Sequence, residues 1–188
     1  MDRVSTVQRT NEMDVDTAAA PFRWPDASSA AKVVLDEGLA FCTRKAGLKD
    51  REKVMERLRE GDPTVCRYCR YGLAKKVAES LGSLDDNVKS VYALDYDATP
   101  EDRSFSSEAQ TSPIHLIVWV ARKTTALEAL VRALDRALVQ EYANMIDAPQ
   151  LAHLLDVQVV DDADVENRTG YGALLSSVHN RPIQVWER

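Results

Sequence analysis

The apolar positions of the chain follow a helical period at first and a strand period later. From Ser28 onward Ala31, Val34, Leu35, Leu39 and Cys42 return at the spacing that gathers side chains on one helical face. Asp26 or Ser28 is placed to cap that helix and Gly47 to stop it. A second helix is predicted over about residues 48–60, with Val54, Met55 and Leu58 inward and Gly61 as its end. Asp62-Pro63 then restarts the chain, because Asp accepts hydrogen bonds from the free amides of a first turn and Pro at the first helical position has no amide to waste. The third helix is predicted to run to about Leu81 and to end at Gly82, with Cys66, Cys69, Leu73, Val77 and Leu81 as its core stripe.

After Asn87 the period falls to two. VKSVYALD from Val88 and IHLIVWVA from Ile114 read as strands, the second apolar on both faces as a central strand must be. Leu127, Leu130, Val131, Leu134, Leu138, Tyr142 and Met145 predict a long amphipathic helix over residues 124–146. A third strand over 155–160, a short helix over 172–179 and a last strand over 182–186 complete the pattern. Three helices followed by β-β-α-β-α-β define an α+β fold with a mixed four-stranded sheet. A strand, a long helix and a strand form a crossover, so the second and third strands are expected parallel, and the first two can pair antiparallel. The predicted organisation is a disordered tail over 1–27, a helical segment over 28–82 and a sheet domain over 83–188. Residues 97–113 are polar and without period, a long loop of the kind that is commonly mobile or functional.

Length and charge narrow this reading. With 188 residues and 45% hydrophobic content the chain fills one main core. No apolar run reaches the length of a membrane span and the first residues lack the apolar core of a secretory signal, so a cytoplasmic protein without a membrane partner is expected. The net charge is −6, yet residues 44–76 carry eleven Lys and Arg against five Asp and Glu. That local excess makes Arg67, Arg70, Lys75 and Lys76 candidates for an anionic partner; the competing reading is a solvated helix face of alternating sign.

The stretch PTVCRYCRYG, residues 63–72, holds two of the three cysteines and writes the triplet Cys-Arg-Tyr twice. On a helix this places Cys66 with Cys69, Arg67 with Arg70 and Tyr68 with Tyr71 in adjacent stripes. Three chemistries compete for the thiols. As ligands, Cys66, Cys69 and Cys42 with His153 would complete a tetrahedral zinc site, or the thiolates would hold an iron–sulfur cluster; His115 and His179 are the alternative fourth ligands. As a redox pair, Cys66 would attack and Cys69 resolve, helped by the helix N-terminus and the neighbouring arginines. As packing, the thiols fill a helix–helix seam in an interaction module without a cofactor. The leading expectation is a binding or regulatory protein with a cysteine-ligated zinc.

Other candidates are weaker. Asp95 and Asp97 after the first strand and Asp161, Asp162, Asp164 and Glu166 after the third could together hold a divalent cation, although acidic strand ends more often solvate turns. Gly170-Tyr171-Gly172 reads as a turn and helix start, and His115 as a hydrogen-bonded core residue. No Gly-x-Ser-x-Gly, no phosphate-loop motif and no His-Glu-x-x-His is present. An open sheet edge near Trp119 and Trp186 suggests a homodimer.

Overall fold

The computed structural model describes residues 24–94, 111–177 and 181–188. Three helices come first: α1 (Trp24–Ala46), α2 (Arg51–Arg59) and α3 (Pro63–Leu84). They are followed by β1 (Val88–Ala93), β2 (Ile114–Val120), α4 (Thr125–Ile146), β3 (Leu155–Val160), α5 (Asp162–Glu166), α6 (Gly172–Leu175) and β4 (Ile183–Glu187). The strands form one mixed sheet in the order β3-β2-β1-β4, with β1 antiparallel to both β2 and β4 and β2 parallel to β3. The α+β class, the parallel crossover through α4 and the antiparallel first pair are those the periodicity predicts.

Local chemistry sets the element boundaries. The Asp50 carboxylate accepts from the Lys53 amide at the start of α2, Asp62 accepts from Thr64 and Val65 at the start of α3, and Thr124 Oγ1 accepts from Leu127 at the start of α4. Gly47 and Gly61 take φ of 64° and 74° where α1 and α2 are left behind, a region that costs glycine little. Helix α5 was not among the expected elements, the short helix expected over 172–179 ends at Leu175 as α6, and two boundaries of the helical segment also differ from the sequence reading. Helix α1 begins at Trp24, so Trp24–Ala27 belong to the helix rather than the tail, and the expected caps Asp26 and Ser28 lie inside it. Pro25 sits in the first turn, where a missing amide is harmless. Helix α3 runs past Gly82 to Leu84 because Gly82 is a contact point rather than a stop: a Cβ there would fall inside the Trp186 indole.

Helices α1, α3 and α4 lie on one face of the sheet. Leu116, Val118 and Val120 of β2 and Val91 and Ala93 of β1 point into the same buried cluster as Val34, Leu39, Leu73, Val77, Leu81, Leu134, Leu138 and Tyr142. Each large side chain so buried contributes about 1.5–3 kcal/mol. His115 and Trp119 alternate to the opposite face, where α5 meets the sheet through Asp162: its carboxylate receives the Trp119 Nε1–H at 2.9 Å and Lys89 Nζ at 2.6 Å. Asp135, on α4, is the one charged side chain buried among the described residues. It accepts the amides of Leu154 and Leu155 at 2.9 Å each and so fixes where β3 begins against α4.

Arg188 ties the β4 side of the sheet to β1 and to the end of α3. Arg188 donates to Val88 O, to Gly82 O and Asp85 O at the end of α3, and to the Asp86 carboxylate, while its guanidinium lies 5.6 Å from the centre of the Trp186 ring. Trp186 is thus engaged by α3 and Arg188, and Trp119 by Asp162, within one chain. The aromatic surfaces that suggested a dimer have partners of their own.

Gly82→Ala is expected to lose about 1–3 kcal/mol of stability in urea denaturation, the usual cost of forcing an atom into a filled site. Trp186→Leu in the same chain should recover part of that loss, so that the two changes are less than additive. Full additivity would show that the indole does not lie over Gly82.

Candidate functional site at the seam of α1 and α3

The two helices approach closely because each has a glycine at the crossing. A Cβ on Gly72 would stand 2.8 Å from Gly38 O and 3.0 Å from Phe41 Cδ1, and one on Gly38 would stand 2.7 Å from Leu73 Cδ2. Neither position has room for a side chain without the backbones separating. The contacts run in opposite directions along the two helices, with Gly38 opposite Leu73 and Cys42 opposite Val65, so α1 and α3 are antiparallel.

This crossing divides the repeated Cys-Arg-Tyr triplet between two environments. Inward, Cys42, Cys66 and Cys69 are all buried and all reduced. The Cys42 thiol donates to Val65 O at 3.5 Å, and the thiols are close enough that charge on one would be felt by the others. Burial pushes Cys66 up to about 11, with Asp62 adding to the effect and Arg70 opposing it. Burial likewise pushes Cys42 to about 11, reinforced by Cys66 and Asp62, and holds Cys69 well above the usual range, as it does the phenol of Tyr142 alongside. At neutral pH these groups are neutral. The helix N-terminus and the arginine that were expected to create a thiolate are outweighed by loss of water.

The expected metal ligands are distributed differently from a binding site. His153 does not face the thiols: its Nδ1 meets Asp135 Oδ2 at 2.8 Å, and its side chain is 71% exposed. His115 pairs with Asp156 at 2.9 Å, with Gln158 donating to the same carboxylate, on the sheet face away from α1, α3 and α4. His179, Asp95 and Asp97 lie outside the described residues. Asp161 caps α5 in a reciprocal pair with Asp164, Asp162 is held by Lys89 and Trp119, and Asp164 binds Lys123 at 2.5 Å. Those carboxylates are committed to one helix start and its two lysines. Among the described residues no group of three or more His, Cys, Asp and Glu side chains is disposed to hold a metal ion.

The cations expected to meet an anion also separate. Arg70 donates through both terminal nitrogens to Ser112 O and Pro113 O, at 2.6 and 2.7 Å, and thereby ties the entry of β2 to α3. Lys76 Nζ is shared by Glu37 and Glu79 at 2.6 Å each. These two are structural. Arg67 and Lys75 are not so engaged, and Arg44, Lys45 and Lys49, which were counted only as part of the basic stretch, stand with them: none of the five makes an ion pair or hydrogen bond among the described residues.

Between these cations, on the outward side of the crossing, lie half-buried rings. Phe41 and Tyr71 meet across the seam with centroids 5.6 Å apart and planes tilted by 42°. Lys45 Nζ lies 6.0 Å from the centre of Phe41, and the Arg67 guanidinium lies 5.8 Å from the centre of Tyr68. Helical spacing adds Arg44 one turn beyond Phe41 and Lys75 one turn beyond Tyr71. Phe41 and Arg44 carry no signal in the sequence that singles them out, because their place depends on which helix packs on α3. Of the other described cations of the helical layer, Arg51 meets Asp36, Lys53 meets Glu56 at 2.5 Å, Arg57 meets Glu60 at 3.4 Å and Arg59 donates to Met145 O at 3.1 Å, while Lys32, nearer the start of α1, has no such partner among the described residues. No family model, curated protein or solved structure matches this chain.

The thiols generate a pH dependence whose sign is fixed. A group whose folded pKa lies above its unfolded value stabilises the fold below the unfolded value and loses that contribution as pH rises. Stability is therefore expected to hold up to about pH 9 and to fall from 9.0, the ordinary thiol value, through about 11, with Cys42 and Cys66 responsible and Cys69 adding to the loss. A thiol-reactive dye at pH 7.5 should titrate none of the three cysteines in the native protein and all three in guanidinium. Rapid native labelling of Cys66 would instead mark it as a reactive thiolate.

Proposed function

We propose that the chain is a non-catalytic binding module that receives an anionic partner on the outward side of the α1–α3 seam. The observation that carries this reading is the set of five cations, Arg44, Lys45, Lys49, Arg67 and Lys75, that have no carboxylate among the described residues in a chain whose net charge is −6. Acidic side chains are abundant enough to have neutralised them, as they do Arg51, Lys53, Arg57 and Lys76 nearby. Unneutralised charge gathered in one place repels itself, and an approaching polyanion relieves that repulsion while releasing its own counterions.

The thiols support the reading from the other side. Neutral and buried, they suit the inner packing of the seam rather than redox exchange, and the rigid crossing they fill holds the outer cations in place. No helix among the described residues is long and apolar enough to cross a membrane. Cysteine-ligated zinc, or an iron–sulfur cluster, remains the alternative occupant of the inner side, and composition of the purified protein distinguishes it. The binding-module reading expects less than about 0.1 zinc or iron per chain. It also expects Cys66→Ala and Cys69→Ala each to cost roughly 1–2 kcal/mol, a small-cavity effect. One metal per chain, lost on either substitution with collapse of the helical layer, would restore the metal reading.

The anionic surface itself is tested with heparin as a generic polyanion. Retention on a heparin column at 50 mM salt, lost by about 200 mM, is the expected behaviour. The double substitution Lys45→Gln and Arg67→Gln should abolish retention without changing the circular dichroism spectrum. Retention unaltered by those substitutions would move the anionic surface elsewhere on the protein.

A further inference from the structure

We infer that the seam binds single-stranded nucleic acid, a statement that rests on the anionic-partner reading and adds the chemistry of that partner. Cations alone do not distinguish an acidic peptide, a sulfated sugar, a duplex or a single strand. The rings do. Phe41, Tyr68 and Tyr71 are half-buried rather than enclosed in the core, and they lie along the same helices as the unpaired cations. A surface evolved only for charge has no use for exposed aromatic area, whereas unpaired bases stack on such rings while their phosphates meet the flanking cations. A duplex keeps its bases stacked on each other and offers the rings nothing.

Two geometric features favour this ligand over a polyanion without planar groups. First, two of the cations rest on ring faces: Lys45 at 6.0 Å from Phe41 and Arg67 at 5.8 Å from Tyr68. A base that takes a place on the ring displaces the cation toward the adjoining phosphate, so one movement satisfies both, and the planar guanidinium of Arg67 is itself a surface on which a base can stack. Second, the strip is linear. Arg67, Tyr68, Tyr71 and Lys75 follow one side of α3 over nine residues, a rise of about 12 Å, and Phe41, Arg44 and Lys45 follow the facing side of α1. Lys76 with its two carboxylates, Glu37 and Glu79, closes one end of the strip with a net negative charge. The open end is the C-terminus of α1 with Arg44, Lys45 and, beyond it, Lys49.

The backbone crossing makes the strip rigid. With Gly38 and Gly72 in contact, the rings are held by the same packing that buries Cys42 and Cys69 behind them, so little order has to be imposed when a strand binds.

Fluorescence anisotropy with a labelled 20-nucleotide oligothymidine and with a duplex of equal length tests this at 50 mM salt, with heparin as competitor. The single strand is expected to bind at least about tenfold more tightly than the duplex. Its affinity should fall with salt at a slope of about −0.7 per phosphate contacted. Lys45→Gln with Arg67→Gln should make that slope shallower by about one to one and a half. Tyr68→Leu and Tyr71→Leu, which keep apolar bulk against the core, should each weaken the single strand by about tenfold while leaving the slope and heparin retention unchanged. Equal binding of duplex and single strand, or leucine variants that bind as well as the parent, would overturn the nucleic-acid inference and leave a general polyanion surface. Loss of heparin retention together with loss of oligonucleotide binding in the unmodified protein would overturn both readings. Thermal melting of each leucine variant separates a lost stacking contact from a lost fold.

Discussion

The approach of α1 to α3 at Gly38 and Gly72 is the constraint from which most of the structure follows. Because neither position tolerates a side chain, the two backbones come within van der Waals contact, and residues on either side of the crossing are sorted without ambiguity. Three thiols go in. Three rings and their cations stay out. A wider spacing would have let water reach Cys66 and would have dropped Phe41 between the helices, away from Tyr71. Burial of the thiols and exposure of the cationic strip are therefore two outcomes of one steric condition.

Charge is handled in two ways within the same helical layer. Arg70 and Lys76 are spent on architecture, the first on the carbonyls that precede β2 and the second on carboxylates of two helices. Arg67 and Lys75 differ from them by a rotation around the α3 axis, and that rotation carries them past the available acceptors. Exposed ion pairs are worth little, about 0–1 kcal/mol, so stability does not dictate which cations are paired. Selection for a surface can thus act on Arg67 and Lys75 at small cost to the fold, whereas replacing Arg70 would release the entry to a central strand.

Much of the architecture was legible in the chain because its signals are local. Asp62 and Pro63 announce the start of α3 by their chemistry, Gly61 announces the end of α2, and the apolar residues on both faces of IHLIVWV place β2 in the middle of the sheet. Gly82 misled because glycine serves two purposes: the sequence shows a residue without a side chain but not the indole that occupies the space. Helix α5 was missed since five residues, DADVE, carry no apolar period, and its capping box is visible only when Asp161 and Asp164 are known to meet. The candidate site was half readable. The triplet repeat correctly separates thiols, arginines and tyrosines into stripes, but a stripe has no orientation until its neighbour is known. His153 looked available as a ligand for the same reason, its partner Asp135 being eighteen residues away on another element.

The clamp made by Arg188 has a consequence for the order in which the molecule assembles. Helices α1 to α3 contact one another over short stretches of chain and can collapse together early. The β1 strand that follows them is bordered on one side by β2 and on the other by β4, whose last neighbour reaches back a hundred positions to Val88. Closing so long a loop is entropically slow, so the pairing of β4 is the step that non-local topology holds back. Until it occurs, β1 presents an unpaired backbone edge and Gly82 an uncovered notch on α3. A folding chain is thus most prone to pair with another copy of itself in the interval before residues 183–188 dock.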